Sequence, residues 1–246
     1  MTALHWFVET ARMTGLNYGF LLEAYERDAF VRGLGVTLQL CLLVIPGSLL
    51  CGLVLAPALR APQRWLSGAA RACVEFTRNT PTLVQLYCAF LVFNMLITRA
   101  FETHGETNPL TPVFWVFVVV SIHKGVFHAE ALRAGIEAVP PVTLEAARSL
   151  GLSQRQIFLQ IELPIALRFA LPSLINNMVD LVKMTAIASA IAVGDVTYES
   201  IMIWTHRDNV LELILLILLY FWLLTWCVSA IGRQLETRLR MPGYGQ

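Results

Sequence analysis

From Gly33 to Leu59 the chain carries no charged residue. A helix needs about 20 largely apolar residues to cross a bilayer, so this run by itself commits the molecule to a membrane. Pro46, Gly47 and Gly52 inside it are expected kinks or close-packing points. Four further stretches read as spans. Residues 74–98 are introduced through EFTRNTPTLVQL, with Arg78 near the interface, and residues 108–127 contain His123 and Lys124. Residues 171–194 contain Asp180 and Lys183, and residues 213–232 hold LILLILLYFWLLTW, whose aromatics suit lipid-facing or interfacial positions. The expected class is all-α, an integral membrane helical bundle of about five transmembrane helices. With 57% hydrophobic and 14% charged residues, an ordinary soluble domain is excluded.

Net charge is only +1, so placement of charge says more than its sum, and nothing suggests a nucleic-acid partner. Arg60, Arg64 and Arg71 follow the first span without an acid, Arg133, Arg148, Arg155 and Arg168 follow the third, and Arg233, Arg238 and Arg240 follow the fifth. The opposite connections set Arg99 among Glu102 and Glu106, and Arg207 among Asp195, Glu199 and Asp208. The positive-inside rule then predicts the N-terminus outside and the C-terminus cytoplasmic. Residues 1–30 carry Glu9, Glu23, Glu26 and Asp28 and lack the pattern of a removable signal peptide; they read as an interfacial segment preceding a transmembrane domain over 31–240. The cysteines Cys41, Cys51, Cys73, Cys88 and Cys227 lie within or beside apolar segments without metal-ligand spacing, and no metal site is expected.

The connection between spans three and four, 140–164, is not membrane-like. Pro140 and Pro141 are tolerated in a helix's first turn, so a helix is predicted from Val142 to Leu150, ended by Gly151 in left-handed geometry. Ser153 and Gln156 have capping-box spacing for a second helix, predicted to run to about Leu163, where Pro164 turns the chain. Two short helices at a glycine bend make a knob, with Ala146 and Ala147 small enough for close approach and Glu145 and Arg148 as a polar rim.

Glu145-Ala146-Ala147, Gly151, Ile161 and Leu163-Pro164 match at every position the EAA-x3-G-x9-I-x-LP signature of permease subunits of bacterial ABC importers, which the chain therefore resembles. GVTLQL (35–40), RNTPTLVQL (78–86), AEALRAGIEAVP (129–140) and LPIALRFALPSLIN (163–176) are similar to segments of the polar amino acid branch, extending the resemblance over about residues 33 to 235. It implies that Glu145, Ala146, Ala147 and Gly151 form a coupling helix docking on a separate cytoplasmic ATPase dimer, with Ile161, Leu163 and Pro164 setting the return to the membrane. It also implies a second permease subunit, identical or homologous, an extracytoplasmic substrate-binding protein, and a multi-pass place in the bacterial inner membrane. ATP and Mg would sit on the partner, since the chain has no G-x-x-x-x-G-K-[ST] loop.

In span four, Ser173, Asn176, Asn177, Asp180 and Lys183 recur at helical spacing as a polar stripe. Asp180 lies on the order of 13 Å in from Leu171, near the bilayer middle. An ionised residue there costs roughly 2.5–3.5 kcal/mol, so the stripe should face protein or water. It either lines a substrate path or neutralises itself through an Asp180–Lys183 pair one turn apart. Lys124 pairs with Asp180 or meets a substrate carboxylate, and His123 and His128 stand beside it. Where the branch commonly has K-D-T-S-L, this chain has Lys183-Met184-Thr185-Ala186-Ile187, which bears on specificity. The expected function is import of a polar amino acid or related small zwitterion by alternating access, energised by the partner. The alternative is a self-sufficient secondary transporter or channel using Asp180, Lys183 and Lys124 as a charge relay. Neither H-E-x-x-H nor G-x-S-x-G occurs, so an enzyme is not expected.

Overall fold

The computed structural model describes residues 3–239, so Arg240, the last charge of the predicted basic tail, lies outside the described residues. The described chain is built of helices: α1 (Ala3–Met13), α2 (Ala24–Leu59), α3 (Arg64–Asn79), α4 (Thr82–Glu102), α5 (Pro112–Glu137), α6 (Pro141–Ser149), α7 (Gln154–Ile191), α8 (Val196–His206) and α9 (Val210–Leu239). Five of them, α2, α4, α5, α7 and α9, are long and apolar enough to cross a membrane, as the sequence predicts.

Their limits differ from the predicted ones for physical reasons. The second span begins at Thr82, not Val74, because Pro81 breaks the chain: Thr80 is extended (φ −115°, ψ 132°) and α3 is a separate amphipathic helix. Pro164, by contrast, does not turn the chain. Residues Phe158–Glu162 form a π-helical stretch, and the helix continues through Pro164 to the 3-10 turns Thr185–Ile191. Widening one turn relieves the clash of a proline ring with the carbonyl four residues earlier. The second predicted short helix is thus the foot of the fourth span. The first 30 residues are likewise not one element: α1 is followed by a short 3-10 turn, Gly19–Leu21, and α2 already begins at Ala24.

The chain divides into two compact units, one of residues up to 43, 83–119 and 182–225, the other of 44–82, 120–181 and 226 onward. In the first unit, backbone donors and acceptors are tied by side chains. The Thr37 hydroxyl accepts from Val196 N–H (3.0 Å) and donates to Gly33 C=O (3.1 Å), and Tyr220 Oη donates to Leu34 C=O (2.6 Å). Asn94 Oδ1, in a π-helical stretch of α4, accepts from Trp115 Nε1 (3.0 Å) and Asn108 Nδ2 (2.9 Å). Arg207 Nε holds Glu26 at 2.7 Å, which keeps the guanidinium more firmly protonated than usual. Phe20, Phe30, Val196, Ile203 and Leu213 form the apolar core of this unit.

Asp195 caps α8 in the same unit, accepting from Tyr198 N–H at 2.9 Å while fully buried. Burial pushes its carboxyl up from 3.8 to about 6. A raised carboxylate binds its proton more tightly folded than unfolded, so stability falls as pH rises between about 4 and 6. Asn caps as well as Asp. Asp195→Asn is therefore expected to gain about 1 kcal/mol at pH 7.5 and to flatten that pH dependence, as read by thermal unfolding in detergent. A variant less stable than the parent at pH 7.5 would refute the account.

The second unit relies on close approach. Lipid gives no hydrophobic drive for helix association, so packing of small residues must supply it. Ser48, Gly52 and Ala56 on α2 meet Gly125 and Ala129 on α5: a Cβ at Gly125 would sit 2.5 Å from Cys51 Cβ, and one at Gly52 would sit 2.6 Å from His128 Cβ. Ala70 and Val74 of α3 pack onto Ala56, Leu59, Val126 and Ala129. Ala170 and Leu174 of α7 pack onto Ala131.

Candidate functional site

The knob is made by local turn chemistry. Pro140 takes the N-cap position and Pro141 the first turn of α6, and Gly151 (φ +79°) reverses the chain after it, its N–H donating to Arg148 C=O at 2.9 Å. Ser153 and Gln156 form the predicted capping box: Ser153 N–H donates to Gln156 Oε1 (2.9 Å) and Gln156 N–H to Ser153 Oγ (3.4 Å). Such a cap is worth about 1 kcal/mol.

The two alanines of the knob face opposite ways. Ala147 is 2% exposed and packs inward, together with the fully covered Ile157, whereas Glu145, Ala146, Arg148 and Gly151 are exposed. Ile161, Leu163 and Pro164 are half-buried at the π-helical foot of α7. Two residues the sequence reading missed complete the outer ridge: Val142 is 73% and Leu150 81% exposed. Val142, Ala146 and Leu150 lie one turn apart, a spacing that was available to find them.

Within the second unit, Lys124 on α5 donates through Nζ to Asp180 Oδ2 on α7. The partners differ in environment: the Lys124 side chain is 5% exposed and that of Asp180 53%. Lys124 Nζ also lies 5.2 Å from the centroid of the Phe127 ring. Buried His123 meets the Thr82 hydroxyl at 3.1 Å through Nε2, and its ring packs 5.4 Å from that of Phe127. Thr82, the first residue of α4, lies in the RNTPTLVQL segment, but nothing in the sequence marked it as a partner of His123. His128 is fully buried against Gly52 and belongs to the packing of α2 on α5.

Along α7, Ser173, Asn176 and Asp180 are exposed and Asn177 is half-buried, so the polar stripe lies on the surface of its unit. Lys183, one turn beyond Asp180 on the same helix, is exposed and falls in the other unit. The structure brings Thr82, His123, Lys124, Phe127 and Asp180 together. The ammonium and the half-exposed carboxylate offer one charge of each sign within the spanning helices α5 and α7. Among the described residues no group of three or more His, Cys, Asp or Glu is placed to hold a metal ion.

Residues 48–241 match the family model described as the inner membrane component of binding-protein-dependent transport systems. The probable glutamine ABC transporter permease protein of Bacillus subtilis (strain 168) is 30% identical over 227 residues, covering 91% of this chain and 98% of that one. The glutamate/aspartate import permease protein of Escherichia coli (strain K12) is 28% identical over 212 residues, 85% of each. Among solved structures, an amino acid ABC transporter crystallised with histidines is similar with a TM-score of 0.74 at 28% identity, over 89% of this chain and 98% of that chain.

Proposed function

Since the chain belongs to the family of inner membrane components of binding-protein-dependent transport systems, we propose that it is the multi-pass permease subunit of an ATP-driven importer for a polar amino acid or a related small zwitterion. The relatives named for glutamine and for glutamate and aspartate support that substrate class. The observation that carries the mechanism is the exposed ridge of α6, with Glu145, Ala146 and Leu150 outward on a helix held at both ends by proline and glycine turns.

In this reading the basic connections, α6 among them, face the cytoplasm and the N-terminus lies outside, with residues 1–30 at the outer interface. A separate ATPase dimer grips Glu145, Ala146 and Gly151, while Ala147, Ile161, Leu163 and Pro164 transmit its motion by packing the knob onto the foot of α7. ATP and Mg belong to that partner. A second permease subunit completes the path, and an external binding protein delivers substrate. Because substrate shifts an equilibrium only through differential affinity for its states, the inward bias comes from the ATPase cycle.

Inside the membrane, Asn176, Asn177 and Asp180 of α7 line the path together with Lys124 and His123, and Lys183 continues the same polar stripe one turn along α7. A zwitterion needs an anion for its amine and a cation for its carboxylate, and the Lys124–Asp180 pair supplies both once it opens. The test is co-expression with candidate ATPase subunits, purification and uptake in proteoliposomes. The expected result is a stable complex whose uptake requires ATP; uptake by the lone chain without ATP would overturn the reading.

A further inference from the structure

A cleft of about 520 Å³ opens in the second unit, away from the Lys124–Asp180 pair, where the end of α2, the first half of α3 and the last turns of α5 come together. Arg60, Ser67, Arg71, Glu130, Arg133 and Glu137 line its polar side. These charges are not equivalent. Arg133 holds Glu137 at 2.7 Å and Glu130 at 2.8 Å, so both carboxylates are committed to one guanidinium. Arg60 has Glu162 only at 4.0 Å, and exposed Arg71 forms no ion pair among the described residues. The triad carries a net charge of −1, which Arg60 and Arg71 outweigh to leave the lining at +1, and their guanidiniums are suited to a phosphate diester, whose oxygens match the guanidinium fork.

The helix that forms one wall says where that phosphate comes from. Trp65 and Phe76 are 74% and 67% exposed, and with exposed Ala69, Ala72 and Cys73 they fall on one face of α3. Arg64, Arg71 and Arg78, seven residues apart, form a stripe on another that stays net basic although exposed Glu75 shares it, and Ala70 and Val74 hold the helix to its unit. An apolar aromatic face beside a basic stripe places a helix in the bilayer interface, with its arginines at headgroup level. Basic pockets between spanning helices at that level bind anionic heads.

We propose that this cleft is a binding site for an anionic phospholipid, its phosphate between Arg60 and Arg71 beside Ser67, and its acyl chains along Trp65 and Phe76. Glu137 stands four residues before Pro141, so the bound lipid braces the root of α6. The site goes beyond the transport reading and stands or falls separately from it, because lipid retention is measured without substrate or ATP.

The test uses the full chain in nanodiscs of phosphatidylcholine with a minor share of phosphatidylglycerol, with retained lipid read by native mass spectrometry. A preference for phosphatidylglycerol of about tenfold is expected, falling to near unity in Arg60→Gln/Arg71→Gln and persisting in Arg99→Gln/Arg238→Gln. Ser67→Asp, which adds a carboxylate and removes no packing, is expected to lower it by about fivefold and keeps the test valid should the double variant unfold. No preference in the parent, or the same preference in Ser67→Asp, overturns the site. Displacement of the lipid by millimolar inorganic phosphate overturns the lipid as its ligand.

Discussion

Ala146→Arg is expected to lower ATP-driven uptake by about a hundredfold and to release the ATPase during purification, while the chain keeps its detergent unfolding midpoint. Ala146 is exposed on α6, so a long charged side chain there meets solvent in the isolated chain and a partner surface in the complex. Its neighbour supplies the control. Ala147 is 2% exposed, packed toward its own unit, and arginine there must displace the knob or bury a charge. Ala147→Arg is therefore expected to lower the unfolding midpoint itself, by an amount equivalent to several kcal/mol. Two adjacent alanines thus separate docking from folding. An Ala146→Arg complex that keeps both its ATPase and its uptake would remove α6 as the coupling element.

What could be read from the sequence follows the range of the forces involved. Pro141, Gly151 and the Ser153–Gln156 box act within a few residues, and the structure returns each where the spacing put it. Proline shows the limit of such rules. At Pro81 the preceding residue is extended and the helix ends, whereas at Pro164 the helix runs on, because a π-helical turn from Phe158 to Glu162 absorbs the missing donor and the ring. Local sequence does not say which solution the surrounding packing favours. The shift of the second span from Val74 to Thr82 has a different cause. Hydropathy summed over a window credits Val74 and Phe76 to a span, although the heptad spacing of Arg64, Arg71 and Arg78 already marks a two-faced helix. The inward turn of Ala147 and the contact of Thr82 with His123 depend on which helices cross, through approaches such as Gly52 with Gly125. Asp180 and Lys124 were each visible as costly charges; their meeting across 56 residues was one option among several until the helices were placed.

That pair sets the second large expectation, which rests on its asymmetry. Lys124 is 5% exposed and Asp180 53%, so the two halves are not equally costly to remove. Asp180→Asn leaves a buried ammonium without its carboxylate and is expected to cost about 3 kcal/mol. Lys124→Met removes the buried charge and leaves a carboxylate with access to the polar side of α7, for about 1 kcal/mol. The double variant Lys124→Met/Asp180→Asn should therefore be more stable than Asp180→Asn alone, a non-additivity that unfolding midpoints of all four chains would register. Transport then separates neutralisation from recognition. If the pair only neutralises two charges in a helix interface, the folded double variant moves substrate as the parent does. If it receives the amine and carboxylate of a zwitterion, uptake in proteoliposomes stays at least about tenfold down in the double variant although stability has returned, since charge-assisted hydrogen bonds to the substrate are gone. Parental uptake with unchanged substrate preference in the double variant would take Lys124 and Asp180 out of the path and leave them as packing residues.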